Sequence, residues 1–184
     1  MKAGIEESAR TVGGLAAKAD TIASICDVVV QALKKGRKVL TCGNGGSAAE
    51  ALHMAEELIG RFRGNRAPLP AIALVADSTA LTCIGNDFGF DHIFSRQVEG
   101  LGKARDVLVI FSTSGNAKNL SMALDAALRC GMRTVCILGR DGGPLAGRGE
   151  LELIVEGGAT ERIQEAQQVV LHLILDAVER AFAN

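Results

Sequence analysis

His53 and Glu57 stand four residues apart in the segment SAAEALHMAEELIGRF. On a helix that spacing sets both side chains on one face, about a turn apart. An imidazole and a carboxylate so placed can hold one metal ion or share a proton-transfer site. Glu56, three residues from His53, competes for the same role, and an ordinary solvated helix face has the same pattern. Two other histidines complete the set. His172 lies in the apolar run VLHLI at residues 170–174, with Gln164 eight residues earlier on the same predicted helix; it reads as a satisfied core histidine or as a ligand. His92 follows Asp91 near a helix start and reads as a surface or capping residue. The five cysteines show no C-x-x-C spacing, and several sit in apolar runs. They are expected to be reduced, buried thiols of an intracellular chain.

Three polar, glycine-containing stretches are candidates for ligand contact. In Ser112-Thr113-Ser114-Gly115-Asn116, three hydroxyl residues and a glycine lead into a predicted helix. Free N–H groups and the dipole at a helix start favour an anion, and hydroxyls add donors. The same residues also serve as ordinary helix caps. The stretch Gly43-Asn44-Gly45-Gly46-Ser47 either contacts a ligand or gives backbone freedom to a tight turn. The third, Gly85-Asn86-Asp87, reads by itself as a turn. A nucleotide-binding G-x-x-x-x-G-K-[ST] loop does not occur.

These groups must be positioned by regular elements. Residues 38–42, 71–75, 106–112, 133–138 and 151–155 are short apolar runs, the pattern of strands buried on both faces. Helical periodicity fills residues 48–61, 92–101, 118–130 and about 160–183. An opening helical pattern covers about residues 3–35, loosened at Gly13 and Gly14, and is expected to serve oligomer packing. The order predicts one domain over residues 1–184, an α/β three-layer sandwich around a five-stranded, mainly parallel sheet. Ligands of such sheets bind beyond the carboxyl ends of the strands, where all three glycine stretches fall.

Composition narrows the function classes. Apolar residues make up 48% and charged residues 22% of the 184, a globular balance. Twenty Lys and Arg against twenty-one Asp and Glu provide no basic footprint for nucleic acid. With six Phe and no Trp or Tyr, base-stacking platforms are not expected. No run approaches the roughly 18 apolar residues of a membrane span, and the first residues lack the apolar middle of a secretory signal. A cytoplasmic protein with no membrane or nucleic-acid partner is expected.

Four stretches, CGNGGSAAEALHMAEELIGRFR, IGNDFGFDHIFSRQVE, STSGNAKNLSMAL and ERIQEAQQVVLHLILDAVE, run in this order through most of the chain. Together they resemble the sugar isomerase (SIS) domain family and, more narrowly, its phosphoheptose isomerases. That resemblance implies conversion of sedoheptulose 7-phosphate to D-glycero-D-manno-heptose 7-phosphate, the first step toward ADP- or GDP-heptose precursors of surface polysaccharide. Carried over by motif, Asn44, Gly45, Gly46 and Ser47, the pair Asn86 and Asp87, the turn Ser112, Thr113 and Ser114, and Glu57 and Gln164 contact substrate. His53, Glu57, Gln164 and His172 match a zinc site, one ion per subunit, and Glu57 and His172 match the acid/base pair. One departure stands out: the family's phosphate turn commonly reads S-T-S-G-N-S, and Ala117 replaces the last serine, removing one donor. A hydrogen bond to a charged group contributes ~1.5–3 kcal/mol, so weaker phosphate binding is expected unless water or Lys118 compensates.

Eight residues of helix rise ~12 Å, so Gln164 and His172 reach one ion only at full stretch or across subunits. With the apolar terminal helices, this predicts a homotetramer like the family's, its sites completed at subunit interfaces. Two other readings remain: a non-enzymatic SIS-domain protein that binds the replication initiator, and a sugar-phosphate sensor module. His53, Glu57, Gln164 and His172 together favour the isomerase, and the chain leaves no room for the DNA-binding domain a sensor usually carries.

Overall fold

The computed structural model describes residues 1–183. Five strands, β1 (Val39–Cys42), β2 (Ala71–Ala73), β3 (Val107–Ser112), β4 (Arg133–Gly139) and β5 (Leu151–Val155), form one parallel sheet in the order β2-β1-β3-β4-β5. The strands alternate between two buried faces. Along β3, Val107, Val109 and Phe111 enter one core while Leu108 and Ile110 enter the other. This two-sided burial explains why the strands read as unbroken apolar runs.

The first core is closed by α2 (Ala19–Lys34), α3 (Gly46–Ile59) and α7 (Thr160–Phe182), which contribute Ile25, Val29, Met54, Leu58, Val170 and Ile174. The second is closed by α5 (Ser95–Leu101) and α6 (Lys118–Arg129), through Val98, Leu120 and Leu124, with Phe94 just ahead of α5. The expected three-layer sandwich and the long terminal helices are present. The opening helical pattern is divided into α1 (Lys2–Gly13), a 3-10 segment over Gly14–Lys18, and α2. Without a Cβ at Gly13 and Gly14 the helix has little to resist that change of pitch.

Two expectations need correction. Gly85-Asn86-Asp87 is not a turn; it forms the last turn of α4 (Ser78–Phe88), started by Asp77, whose carboxylate accepts the N–H groups of Thr79 (2.9 Å) and Ala80 (3.0 Å). The cysteines are all free, but not all are buried: Cys83 is exposed and Cys130 half-buried. Burial raises the Cys136 thiol to about 12, the nearby Glu152 charge adding to the rise, so it is not a nucleophile.

Candidate active site

The order of the strands reverses between β1 and β3, and the crevice beyond their carboxyl ends is where such sheets bind ligands. The turn after β1 and the turn after β3 meet there. Asn44 and Asn119 exchange two amide hydrogen bonds across the gap (2.9 and 3.0 Å). The Asn44 carboxamide, expected to face a sugar, is thus committed to joining the two loops. Gly45 holds a φ of 56°, a left-handed conformation that suits glycine. A side chain on Gly46 would overlap the Gln164 amide, so the end of that glutamine side chain packs directly on the start of α3.

Behind the crevice lies a pocket of about 210 Å³, lined by Asn44, Gly46, Ser47, Ser112–Ser114, Ala117, Thr160 and Gln164. The three helices that border it, α3, α6 and α7, are preceded by Gly45, Ala117 and Ala159 at their N-cap positions, none of which supplies a side-chain cap. At the start of α3 the Ser47 and Ala48 N–H groups donate to the Asn44 and Gly45 carbonyls (3.0 Å each), so what the three helix starts offer an anion is chiefly their positive dipole ends, beside the hydroxyls of Ser112, Thr113 and Ser114. Within the β3 turn, the Gly115 N–H donates to Ser112 Oγ (2.9 Å). Gly115 has a φ of 63° and presses on the Gly142 carbonyl. Lys118 pairs with Asp91 (2.7 Å), so it does not replace the hydroxyl missing at Ala117.

From this pocket a cleft of about 480 Å³ continues between α3 and α7, lined by Gly46, Glu50, His53, Gln164, Gln168 and neighbours. On α3, residues 46, 50, 53 and 57 share a face; on α7, residues 164, 168 and 172 do. His53 Nε2 stands 3.4 Å from Glu57 Oε1. The Gln168 amide nitrogen bridges His53 Nδ1 (2.6 Å) and His172 Nε2 (3.3 Å). That amide nitrogen has two protons to give. With both donated, each imidazole accepts, which leaves the His53 proton on Nε2, toward Glu57. The two rings meet edge to face at 5.3 Å, and Phe62 stacks on His172 at 6.0 Å. Burial and the neighbouring His53 imidazole hold the His172 imidazole below its ordinary value, with Glu57 opposing and Arg63 adding.

Four of the expected residues therefore come together in a single chain in two groups: His53, Glu57 and His172 at one end, and Gln164 toward the glycine turn. His172 is not a core histidine. It is exposed on the outer side of α7, while Leu171 and Ile174 face inward. Asn86 and Asp87 are exposed on α4, bonded to each other (2.7 Å), and line neither the pocket nor the cleft.

Two residues escaped sequence reading. Gln168, four residues from both Gln164 and His172, was identifiable by spacing alone. Glu50 is 5% exposed and neither of its carboxyl oxygens has a hydrogen-bond partner. Burial pushes its carboxyl up to about 7, with the nearby Ser47 hydroxyl opposing the rise.

His53, Glu56 and Glu57 bring donor atoms within 4.8 Å of one another. His172 lies outside that group, its ring 5.3 Å from that of His53; were it to close in, the donors would be two imidazoles and carboxylates, a chemistry that fits zinc. Gln164 rests against Gly46 and would have to swing to join them.

Residues 5–139 match the SIS domain family. A phosphoheptose isomerase of Citrifermentans bemidjiense is 52% identical over 159 residues, covering 86% of this chain and 83% of that protein. Among solved structures, the phosphoheptose isomerase of Francisella tularensis superposes with a TM-score of 0.94 at 33% identity, and that of Neisseria gonorrhoeae with 0.92 at 40% identity. Each comparison covers 97% of this chain and 96% of the other.

Proposed function

The chain belongs to the SIS domain family, among its phosphoheptose isomerases, and on that premise we propose that it interconverts a ketose phosphate and an aldose phosphate. The substrate pair we assign is sedoheptulose 7-phosphate and D-glycero-D-manno-heptose 7-phosphate, feeding heptose precursors of surface polysaccharide. The observation that carries this reading is the distance-ordered layout of the crevice. An anion pocket made of hydroxyls and helix starts shares Gly46 and Gln164 with a cleft that reaches His53, and Glu57 and His172 flank that imidazole just outside the cleft.

The phosphate occupies the pocket at Ser112, Thr113 and Ser114, with Gly45, Gly46 and Ser47 opposite. The carbon chain lies between α3 and α7, and its carbonyl end meets the Glu57–His172 pair. Glu57 takes the proton from the carbon beside the carbonyl, and His172 supplies a proton to the carbonyl oxygen, giving an enediol. The neighbouring oxygen then loses its proton and the former carbonyl carbon gains one, so the sugar's composition is unchanged. Gln168 orients both imidazoles for this exchange. His53, Glu57 and His172, joined by Gln164, would hold one zinc ion per subunit; when bound, it polarises sugar oxygens.

Several further assignments belong to the same proposal. The 184 residues form one SIS domain, the enzyme works in the cytoplasm, and it is a homotetramer with sites at subunit interfaces. Three features support the tetramer: α1 buries no side chain, an apolar groove lies open along Ile22, Ala23 and Leu173, and Asn86 and Asp87 are exposed and line neither the pocket nor the cleft of their own chain. No helix among the described residues is long and apolar enough to cross a membrane. The initiator-binding alternative draws no support from the isomerase relatives.

The deciding experiment incubates the protein with sedoheptulose 7-phosphate, with and without a chelator, beside Glu57→Gln. Formation of an aldoheptose phosphate that stops in Glu57→Gln while its folding is retained supports the reading. No turnover together with tight initiator binding reverses it, and full activity after metal removal takes zinc out of the chemistry.

A further inference from the structure

The end of the sheet farthest from the cleft carries a group of cations. Arg37 precedes β1, Arg105 precedes β3 and Arg133 opens β4. Val39 pairs with Val107, and Val107 pairs with Arg133. Arg37 and Arg105 therefore stand at the same level on neighbouring chain segments, with Arg133 two residues further along. The three arginines line a pocket of about 200 Å³ with Gln31, Ala32 and Lys35 from the end of α2.

Like charges abreast on adjacent strands repel, and little nearby relieves them. Arg133 is paired with Glu150, and the Asp106 carboxylate is taken by Lys38. Among the described residues, Lys35, Arg37 and Arg105 make no ion pair. The negative end of the α2 dipole accounts for Lys35 but not for arginines that lie beyond it. Arg37 Nε is buried with no hydrogen-bond partner. Arg105 holds a φ of 70°, a conformation that glycine adopts freely and arginine rarely. A strained backbone that keeps a guanidinium beside two others is the kind of outlier that marks a ligand site.

We propose that this pocket binds a phosphoryl group, separately from the cleft. The fork of a guanidinium matches phosphoryl oxygens bidentately, and the pocket's size admits one such group with any larger remainder projecting outward. The group belongs either to free phosphate or to a bigger phosphorylated metabolite.

Titration calorimetry on the full chain tests this, with inorganic phosphate, pyrophosphate and ADP as probes. Three variants accompany the wild type: Arg105→Gly, Arg37→Gln and, for the cleft, Thr113→Val. Wild type should show two classes of phosphoryl site per chain. Arg105→Gly suits its backbone, so it should keep its melting temperature and turnover while that site weakens about 10- to 100-fold. Arg37→Gln should do the same, and Thr113→Val should weaken only the other class. Equal binding of all three probes identifies the free ion as sufficient, whereas binding of pyrophosphate and ADP alone identifies a larger metabolite. One class of site only, or a second class indifferent to both arginine changes, overturns the proposal.

Discussion

Glu50→Gln isolates what a buried, unpartnered carboxyl does to this fold. Burial holds its pKa at about 7, against a reference value of 4.5 for the unfolded chain. The folded value is the higher one, so the unfolded chain gives up the proton first. The group's contribution to stability is complete at pH values below the unfolded value and is lost as pH climbs through the folded one. A difference of about 2.5 units corresponds to about 3 kcal/mol, of which roughly 2 kcal/mol disappears between about pH 5 and about pH 8. Glutamine keeps the shape and cannot ionise. In urea unfolding, Glu50→Gln should therefore gain roughly 2 kcal/mol on wild type between about pH 5 and about pH 8. A gap between the two proteins that stays constant with pH, or that widens in favour of wild type as pH rises, would show that the carboxyl has a charged partner in the assembled protein and refute the reasoning.

Three other outcomes follow from the geometry. Gly115→Ala places a Cβ on the Gly142 carbonyl at a φ of 63°, and should lower stability by about 2 kcal/mol or more in the same unfolding assay. Ala117→Ser restores a hydroxyl to a residue lining the anion pocket; an added bond to a charged group should tighten inorganic phosphate binding about 10-fold by calorimetry. Gln168→Leu removes the bridge between the two imidazoles, and turnover should fall about 10- to 100-fold with melting temperature little changed.

The central elements were legible because their burial is regular. Four of the strands fall within a residue or so of the expected runs, and α3, α6 and α7 within two at each end. Helix α4 was hidden because none of its residues is buried in the chain, so no apolar stripe marks it, and its Gly85 and Asn86 are poor helix formers. The capping carboxylate of Asp77 was the available signal. His172 misled for the opposite reason: its neighbour Leu173 is 41% exposed on an apolar groove, so α7 is apolar beyond its core face and the run looks uniformly buried. Glu50 had no local signature, since its burial comes from α7 crossing over α3, a long-range event. The pairing of Asn44 with Asn119 spans 75 positions and is likewise invisible to spacing.

The pocket formed by the starts of α3, α6 and α7 has no lysine or arginine in its lining. Under the proposed reading its hold on an anion rests on peptide dipoles and hydroxyls, groups that do not titrate near neutral pH. A grip of that kind should vary with acidity only as the phosphoryl group itself titrates, near pH ~6, and single substitutions should blunt it without erasing it. Drift in the loops could then alter which sugar is read while the handle by which it is held endures.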